Sequence, residues 1–220
     1  MYKSLFFKEF TKTHTAIIIC ALVVVVLCVA AMSSLAHDIR LSTAESYMAQ
    51  KINSRMRPLP LLSIFSVVMS LSIAAAQFVP EALSGRLKLT LHLPLPESTI
   101  VYVMCLYGWL CVVVLSLLAS CLYFFTQSLY LPVDFILPDL VEIFRQTLVA
   151  LVVYNITAAV CFDPRQRGKL RWGACGLITL FALWLLPDTM RGFMPLSVLI
   201  ALLSTAIPFV SACRFKAGLR

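Results

Sequence analysis

The stretch TAIIICALVVVVLCVAAMSSLA, residues 15–36, decides the fold class of this chain. It contains no charged residue and no proline, and a helix needs about 20 predominantly apolar residues to cross a bilayer. The whole chain of 220 residues has the same character, since 61% of its residues are hydrophobic and 13% are charged. Soluble proteins have about 45–50% apolar and about 25% charged residues. We therefore predict an all-α integral membrane protein with a single transmembrane domain over residues 1–220.

Five more apolar runs follow, and together they predict six transmembrane helices. The spans are residues 15–36, 58–79, 99–126, 139–162, 171–187 and 193–213. Residues 1–14 group Leu5, Phe6 and Phe10, with the lysines elsewhere around the helical turn, which predicts an interfacial helix along the inner leaflet. An ordinary charged lead-in to the first span fits the same pattern.

The positive charges orient the chain. With the N-terminus in the cytoplasm, 12 of the 18 Lys and Arg residues fall in cytoplasmic segments, and RQRGKLR at residues 165–171 is the densest group. Because cytoplasmic loops carry an excess of Lys and Arg, we expect both termini and residues 80–98 in the cytoplasm, in a multi-pass protein of the cell inner (cytoplasmic) membrane. The net charge of +8 is spread between apolar runs, which argues against a nucleic-acid partner.

The sequence offers no catalytic, cofactor-binding or metal-binding group. The middles of the six predicted spans lack Asp, Glu, Lys, Arg and His, and none of the eight cysteines forms a CxxC pair. Gly168-Lys169 is followed by Leu170 and is not part of a phosphate-binding loop. Asp139, Glu142 and Arg145 have the spacing of a helix start, with a substrate site as the alternative. We therefore expect no enzyme activity in this chain.

Residues 80–98, PEALSGRLKLTLHLPLPES, form a polar and basic insert between the second and third predicted spans. Its leucines alternate from residue 87 to residue 95, which is typical of a β-strand. Leu83, Leu87 and Leu91 also have helical spacing, with Glu81 in the first turn, and a short helix satisfies its own backbone groups. Periodicity leaves both structures open.

The order of residues in the insert is similar to the cytoplasmic loop of ABC-2-type transporter permeases: a span ending in glutamate, a glycine, a basic leucine run, Leu-Pro and an acidic-serine pair. YKSLFFKEF before the first span resembles the amphipathic connecting helix of that family, and six spans with cytoplasmic termini match its architecture. The resemblance implies a coupling helix in residues 80–98 that docks on an ATPase subunit. The residues assigned to this ATPase coupling are Glu81, Leu83, Gly85, Arg86, Leu87, Lys88, Leu91 and Pro94.

The function that the resemblance implies is that of a permease subunit in an ATP-driven ABC transporter. Such a subunit would export a lipid-like, peptide or other amphipathic substrate, with ATP and Mg bound by a separate ABC ATPase subunit. A second permease copy, as a homodimer or heterodimer, and membrane lipids are the other expected partners. Three alternatives remain. Leu-Pro-Leu-Pro at residues 93–96 is also similar to the haem-exporter-type permease of cytochrome c maturation, and a non-transporting scaffold or assembly subunit and a secondary carrier are the other two.

Overall fold

The computed structural model describes residues 2–41, 46–49, 60–83, 97–163, 165–185 and 193–216. The helices of these ranges, apart from a short helical segment at residues 46–49, are α1 Tyr2–Leu41, α2 Pro60–Leu83, α3 Glu97–Ser128, α4 Val133–Phe162, α5 Gln166–Leu185, α6 Phe193–Ser204 and α7 Ile207–Lys216. The described ranges contain no β-strand. The prediction of an all-α fold is confirmed.

Four stretches of helix are long and apolar enough to cross a membrane: Lys3–Leu41, Ile64–Leu83, Ser98–Ser128 and Pro195–Cys213. The last combines α6 and α7 across a turn at residues 205 and 206. Large apolar side chains on these helices face outward, such as Leu22 and Leu117, which are 61% and 58% exposed. Lipid accepts such a surface and water does not, so the structure indicates a multi-pass membrane protein.

Helix α4 occupies the centre of the bundle, where it packs against α2, α3, α5, α6 and α7. Its Tyr154 is fully buried and lies 5.9 Å, between ring centroids, from Phe78 of α2. Gly108 of α3 faces the same ring, and a Cβ at this position would lie 2.0 Å from the Tyr154 hydroxyl oxygen. The missing side chain lets α3 approach α4 closely, as small residues do in membrane helix pairs.

The N-terminal residues do not form a separate interfacial helix. Helix α1 runs for 40 residues from Tyr2 to Leu41, about 60 Å at 1.5 Å per residue, so residues 2–14 are its first turns. No glycine or proline interrupts this range. The first turns pack on the bundle, because Phe6 meets Tyr107 of α3 edge-on with ring centroids 5.0 Å apart.

Two helix boundaries differ from the sequence prediction. Helix α2 continues through Pro80 to Leu83, so Glu81 lies in the last turn of α2 and not in the first turn of a new helix. Helix α4 begins at Val133, with Pro132 as its N-cap residue, so the prediction that Asp139 starts the helix is wrong. The buried Asp139 carboxylate instead accepts a hydrogen bond from the Tyr123 hydroxyl at 2.8 Å.

Candidate functional site

Ion pairs join the first turns of α1 to the last turn of α2. The Lys12 Nζ atom donates to Glu9 Oε1 at 2.8 Å and also to Glu81 Oε1. The Lys8 Nζ atom lies 2.7 Å from the same Glu81 oxygen. We call Lys8, Glu9, Lys12 and Glu81 the ion-pair cluster.

The two carboxylates of the cluster are buried, and the two ammonium groups are less so. Glu9 is 0% exposed and Glu81 is 2% exposed, whereas the side chains of Lys12 and Lys8 are 20% and 40% exposed. The Oε2 atoms of both glutamates have no hydrogen-bond partner among the described residues. A buried carboxylate is strongly disfavoured unless a cation compensates it, so this part of the fold depends on the lysines, and on Lys12 most of all.

A hydrogen bond next to the cluster extends the connection to α3. The hydroxyl groups of Thr13 and Tyr107 are 2.6 Å apart, and both side chains are buried. Tyr107 therefore contacts α1 at two residues of the same helix face, the Phe6 ring and the Thr13 hydroxyl, which lie two turns apart. Helices α1, α2 and α3 are therefore connected at this end of the bundle, which the sequence predicts to be the cytoplasmic end.

The structure places two of the residues predicted for ATPase coupling. Glu81 is drawn into the ion-pair cluster, and Leu83 stands at the end of α2 with 83% of its surface exposed. The other six, Gly85, Arg86, Leu87, Lys88, Leu91 and Pro94, lie outside the described residues. Leu83 is exposed and can contact a partner, whereas the Glu81 carboxylate forms ion pairs with Lys8 and Lys12 of the same chain.

Hydrogen bonds also link the helices inside the bundle. The Tyr154 hydroxyl donates to Gln77 Oε1 at 2.6 Å, and Gln77 Nε2 donates to the backbone oxygen of Met104 at 2.8 Å. All three residues are buried. Because the interior of a membrane protein offers no bulk water, each polar group needs such a partner, and these bonds fix α2 and α3 against α4.

A second set of bonds surrounds Asn155 on α4. Asn155 Oδ1 accepts from the Trp109 indole N–H at 2.7 Å, and Asn155 Nδ2 donates to Ser204 Oγ at 2.9 Å. Asn155 is fully buried. Its amide connects α4 to α3 and α6, so Asn155 has a structural role in the bundle.

A small cleft lies among α1, α2, α3 and α4. Apolar side chains such as Phe65 and Met69 line it together with the polar groups of Ser66, Ser116, Glu142, Gln146 and Thr147. The Glu142 carboxylate accepts hydrogen bonds from Arg145 at 2.6 Å and from Gln146 at 2.7 Å. The cleft holds about 30 Å³, room for about two waters, and is too small for an amphipathic substrate in this conformation.

Neither a metal-binding group nor a disulfide is found among the described residues. Among the described residues, no three side chains of His, Cys, Asp or Glu come together in a group that could hold a metal ion. The eight cysteines are free thiols. No protein-family model, curated protein or solved structure matches this chain.

The sequence pattern alone does not predict the ion-pair cluster. It assigns Lys8 and Lys12 to membrane orientation and Glu81 to partner docking. One local signal was present, because Lys8 and Lys12 stand four residues apart on one helix face, with Glu9 three residues before Lys12. That spacing indicates a paired face, but the distant partner, 69 residues away from Lys12, has no local signature.

Proposed function

We propose that this chain is the membrane-spanning permease subunit of an ATP-driven ABC transporter, an exporter of a lipid-like, peptide or other amphipathic substrate. The observation that carries the proposal is the ion-pair cluster. It fastens the last turn of α2, from which residues 84–96 continue, to the N-terminal turns of α1. These are the two segments that resemble the coupling and connecting helices of ABC-2-type permeases.

The cluster supports a mechanical role. A segment that docks on an ATPase must transmit its displacement to the spanning helices. A rigid connection between that segment and the helices transmits the displacement most directly. Lys12 contacts a carboxylate on its own helix and one on α2, so α1 and α2 are held as one unit. Displacement of the docked insert then moves α1, which continues for about 60 Å.

The residues of the coupling segment divide into two roles. Leu83, together with Leu87 and Leu91 at helical spacing, supplies the apolar face that fills a groove of the ATPase subunit. Arg86 and Lys88 meet acidic residues of that subunit or lipid headgroups. Glu81 is a positioning residue, because its carboxylate is held by Lys8 and Lys12.

The complete subunit has six spans in this proposal, with α4 and α5 as the fourth and fifth. Helix α4 has 30 residues and α5 has 20, about 45 Å and 30 Å, enough to cross a hydrocarbon core of about 30 Å. Both termini and residues 80–98 lie in the cytoplasm of a cell with the chain in its inner membrane. Six spans form half of a pore, so a second permease copy completes the transporter, and the ATPase subunit binds ATP and Mg.

A non-transporting membrane scaffold or assembly subunit is the second candidate. Two observations favour it. The cleft among α1 to α4 holds only about 30 Å³, and the buried side chains of Gln77 and Asn155 form their hydrogen bonds within the bundle. Such a protein would bind a partner through the insert without stimulating ATP hydrolysis. The Leu-Pro-Leu-Pro run at residues 93–96 keeps a haem-exporter-like permease as a third candidate.

Co-purification from native membranes tests the docking assignment. We expect the tagged chain to carry an ATPase subunit, identified by its phosphate-binding loop in mass spectrometry, and Leu87→Asp to release that subunit while the chain remains inserted. Leu89→Asp is the matched control, because a leucine two residues further along lies off the docking face of a helix. Equal retention of the subunit by Leu87→Asp and the unmodified chain would contradict the assignment.

A further inference from the structure

A long groove runs between the N-terminal half of α1 and the middle of α3. It has a volume of about 730 Å³ and opens to the side of the bundle. Its lining includes Lys3, Phe7, Phe10 and Ile17 from α1 and Leu110 and Val114 from α3. We call this the α1–α3 groove.

The walls of the α1–α3 groove are apolar and accessible. Phe7 is 70% exposed, Phe10 is 53% exposed, and Leu110 and Val114 on the opposite wall are 51% and 53% exposed. In water such a surface would be covered, whereas in a bilayer it is in contact with acyl chains. From Lys3 to Ile17 the wall spans 14 residues of helix, about 21 Å, and it runs from the predicted interfacial segment, residues 1–14, into the predicted first span, residues 15–36.

One end of the groove carries a positive charge with no partner in the part of the chain that the structure describes. Lys3 is exposed and makes no ion pair or hydrogen bond with a described residue. Lys8 and Lys12, on the same helix, are engaged with Glu81 and Glu9. The first turn of α1 contains no acidic residue, so its unpaired N–H groups add to the positive potential beside Lys3.

We propose that the α1–α3 groove binds one anionic phospholipid of the membrane, with its phosphate at Lys3 and an acyl chain between the phenylalanines of α1 and the aliphatic wall of α3. The charge at one end and the apolar length behind it match the two parts of that molecule. The site does not depend on the function proposed above. It would be present in a transporter subunit and in a scaffold alike.

Native mass spectrometry of the delipidated full-length chain tests this site. Phosphatidylglycerol and phosphatidylcholine with identical acyl chains are the two probes. We expect one phosphatidylglycerol per chain, bound about fivefold more tightly than phosphatidylcholine, since one lysine at an anionic surface contributes about that factor. Lys3→Gln should abolish the preference, and the melting temperature should not change because Lys3 has no described partner to lose.

Two further variants separate charge from shape. Val114→Trp fills the groove and should weaken the binding of both lipids. Arg167→Gln removes an exposed cation on α5, outside the groove, and should leave both affinities unchanged. Equal affinity for the two lipids, or an undiminished preference in Lys3→Gln, would show that Lys3 does not select the headgroup. Unchanged lipid binding in Val114→Trp would show that the lipid does not lie in the groove. Each of these results would overturn the proposal.

Discussion

Replacing Lys12 with methionine removes the cation that the two buried carboxylates of the ion-pair cluster share. Lys12 donates to Glu9 and Glu81, which are 0% and 2% exposed. Glu81 keeps Lys8, but the Lys8 side chain is 40% exposed, and solvent screens such a contact. Glu9 loses its only ion pair with a described residue. Removing one partner of a buried ion pair costs about 3–5 kcal/mol, and we expect a loss in that range.

Thermal unfolding in a mild detergent measures this loss. For a chain of this length about 1 kcal/mol corresponds to roughly 2–4 °C, so Lys12→Met should lower the melting temperature by about 6–20 °C. Lys8→Met should lower it by about 4 °C or less, because Glu81 keeps Lys12 and the Lys8 side chain is 40% exposed, where an ion pair contributes about 0–1 kcal/mol. Lys3→Met, which has no described ion pair to lose, is the matched control.

A compensating variant tests whether the loss of stability comes from the uncompensated carboxylates. Glu9→Gln in the Lys12→Met background removes one uncompensated charge, and the double variant should melt above Lys12→Met alone. If Lys12→Met and Lys3→Met melted at the same temperature, the buried ion pair would not be part of the fold. The rigid joint between α1 and α2 would then have no physical basis.

Two further predictions concern the interior of the bundle. Gly108→Ala places a Cβ 2.0 Å from the Tyr154 hydroxyl oxygen and should cost about 1–3 kcal/mol; Gly173→Ala, with no atom within 4 Å of its Cβ, should be neutral or stabilise α5 by up to about 1 kcal/mol. Equal melting temperatures for these two variants would contradict the close approach of α3 and α4. A double-mutant cycle of Trp109→Phe and Asn155→Leu should give a coupling of about 0.6 kcal/mol, up to about 1.7, and zero coupling would show that their hydrogen bond contributes nothing.

The fold class could be predicted from the sequence because lipid imposes a simple rule on composition. The third predicted span, residues 99–126, closely matches Ser98–Ser128, and the sixth, residues 193–213, closely matches Pro195–Cys213. Both runs are apolar on all sides, and polar residues mark their ends. Helix continuity was harder to predict, since Pro80 and the charged first turns of α1 indicate breaks that the surrounding packing overrides.

The candidate site could be predicted only in part. The sequence singled out Glu81 and Leu83, but it could not show that one is buried and the other 83% exposed. Burial of Glu81 depends on Lys8 and Lys12, which are brought to it by the packing of α1 on α2. Gln77 is a similar case, because its polarity within an apolar run was visible while its partner Tyr154, 77 residues away, was not.

Coupling of this chain to an ATPase can be measured as ATP hydrolysis by the complex purified through this chain. We expect vanadate-sensitive hydrolysis that Leu87→Asp abolishes and Leu89→Asp preserves, with both variants inserted in the membrane at the level of the unmodified chain. A purified complex that hydrolyses no ATP, or one whose hydrolysis is unchanged by Leu87→Asp, would rule out the proposed coupling.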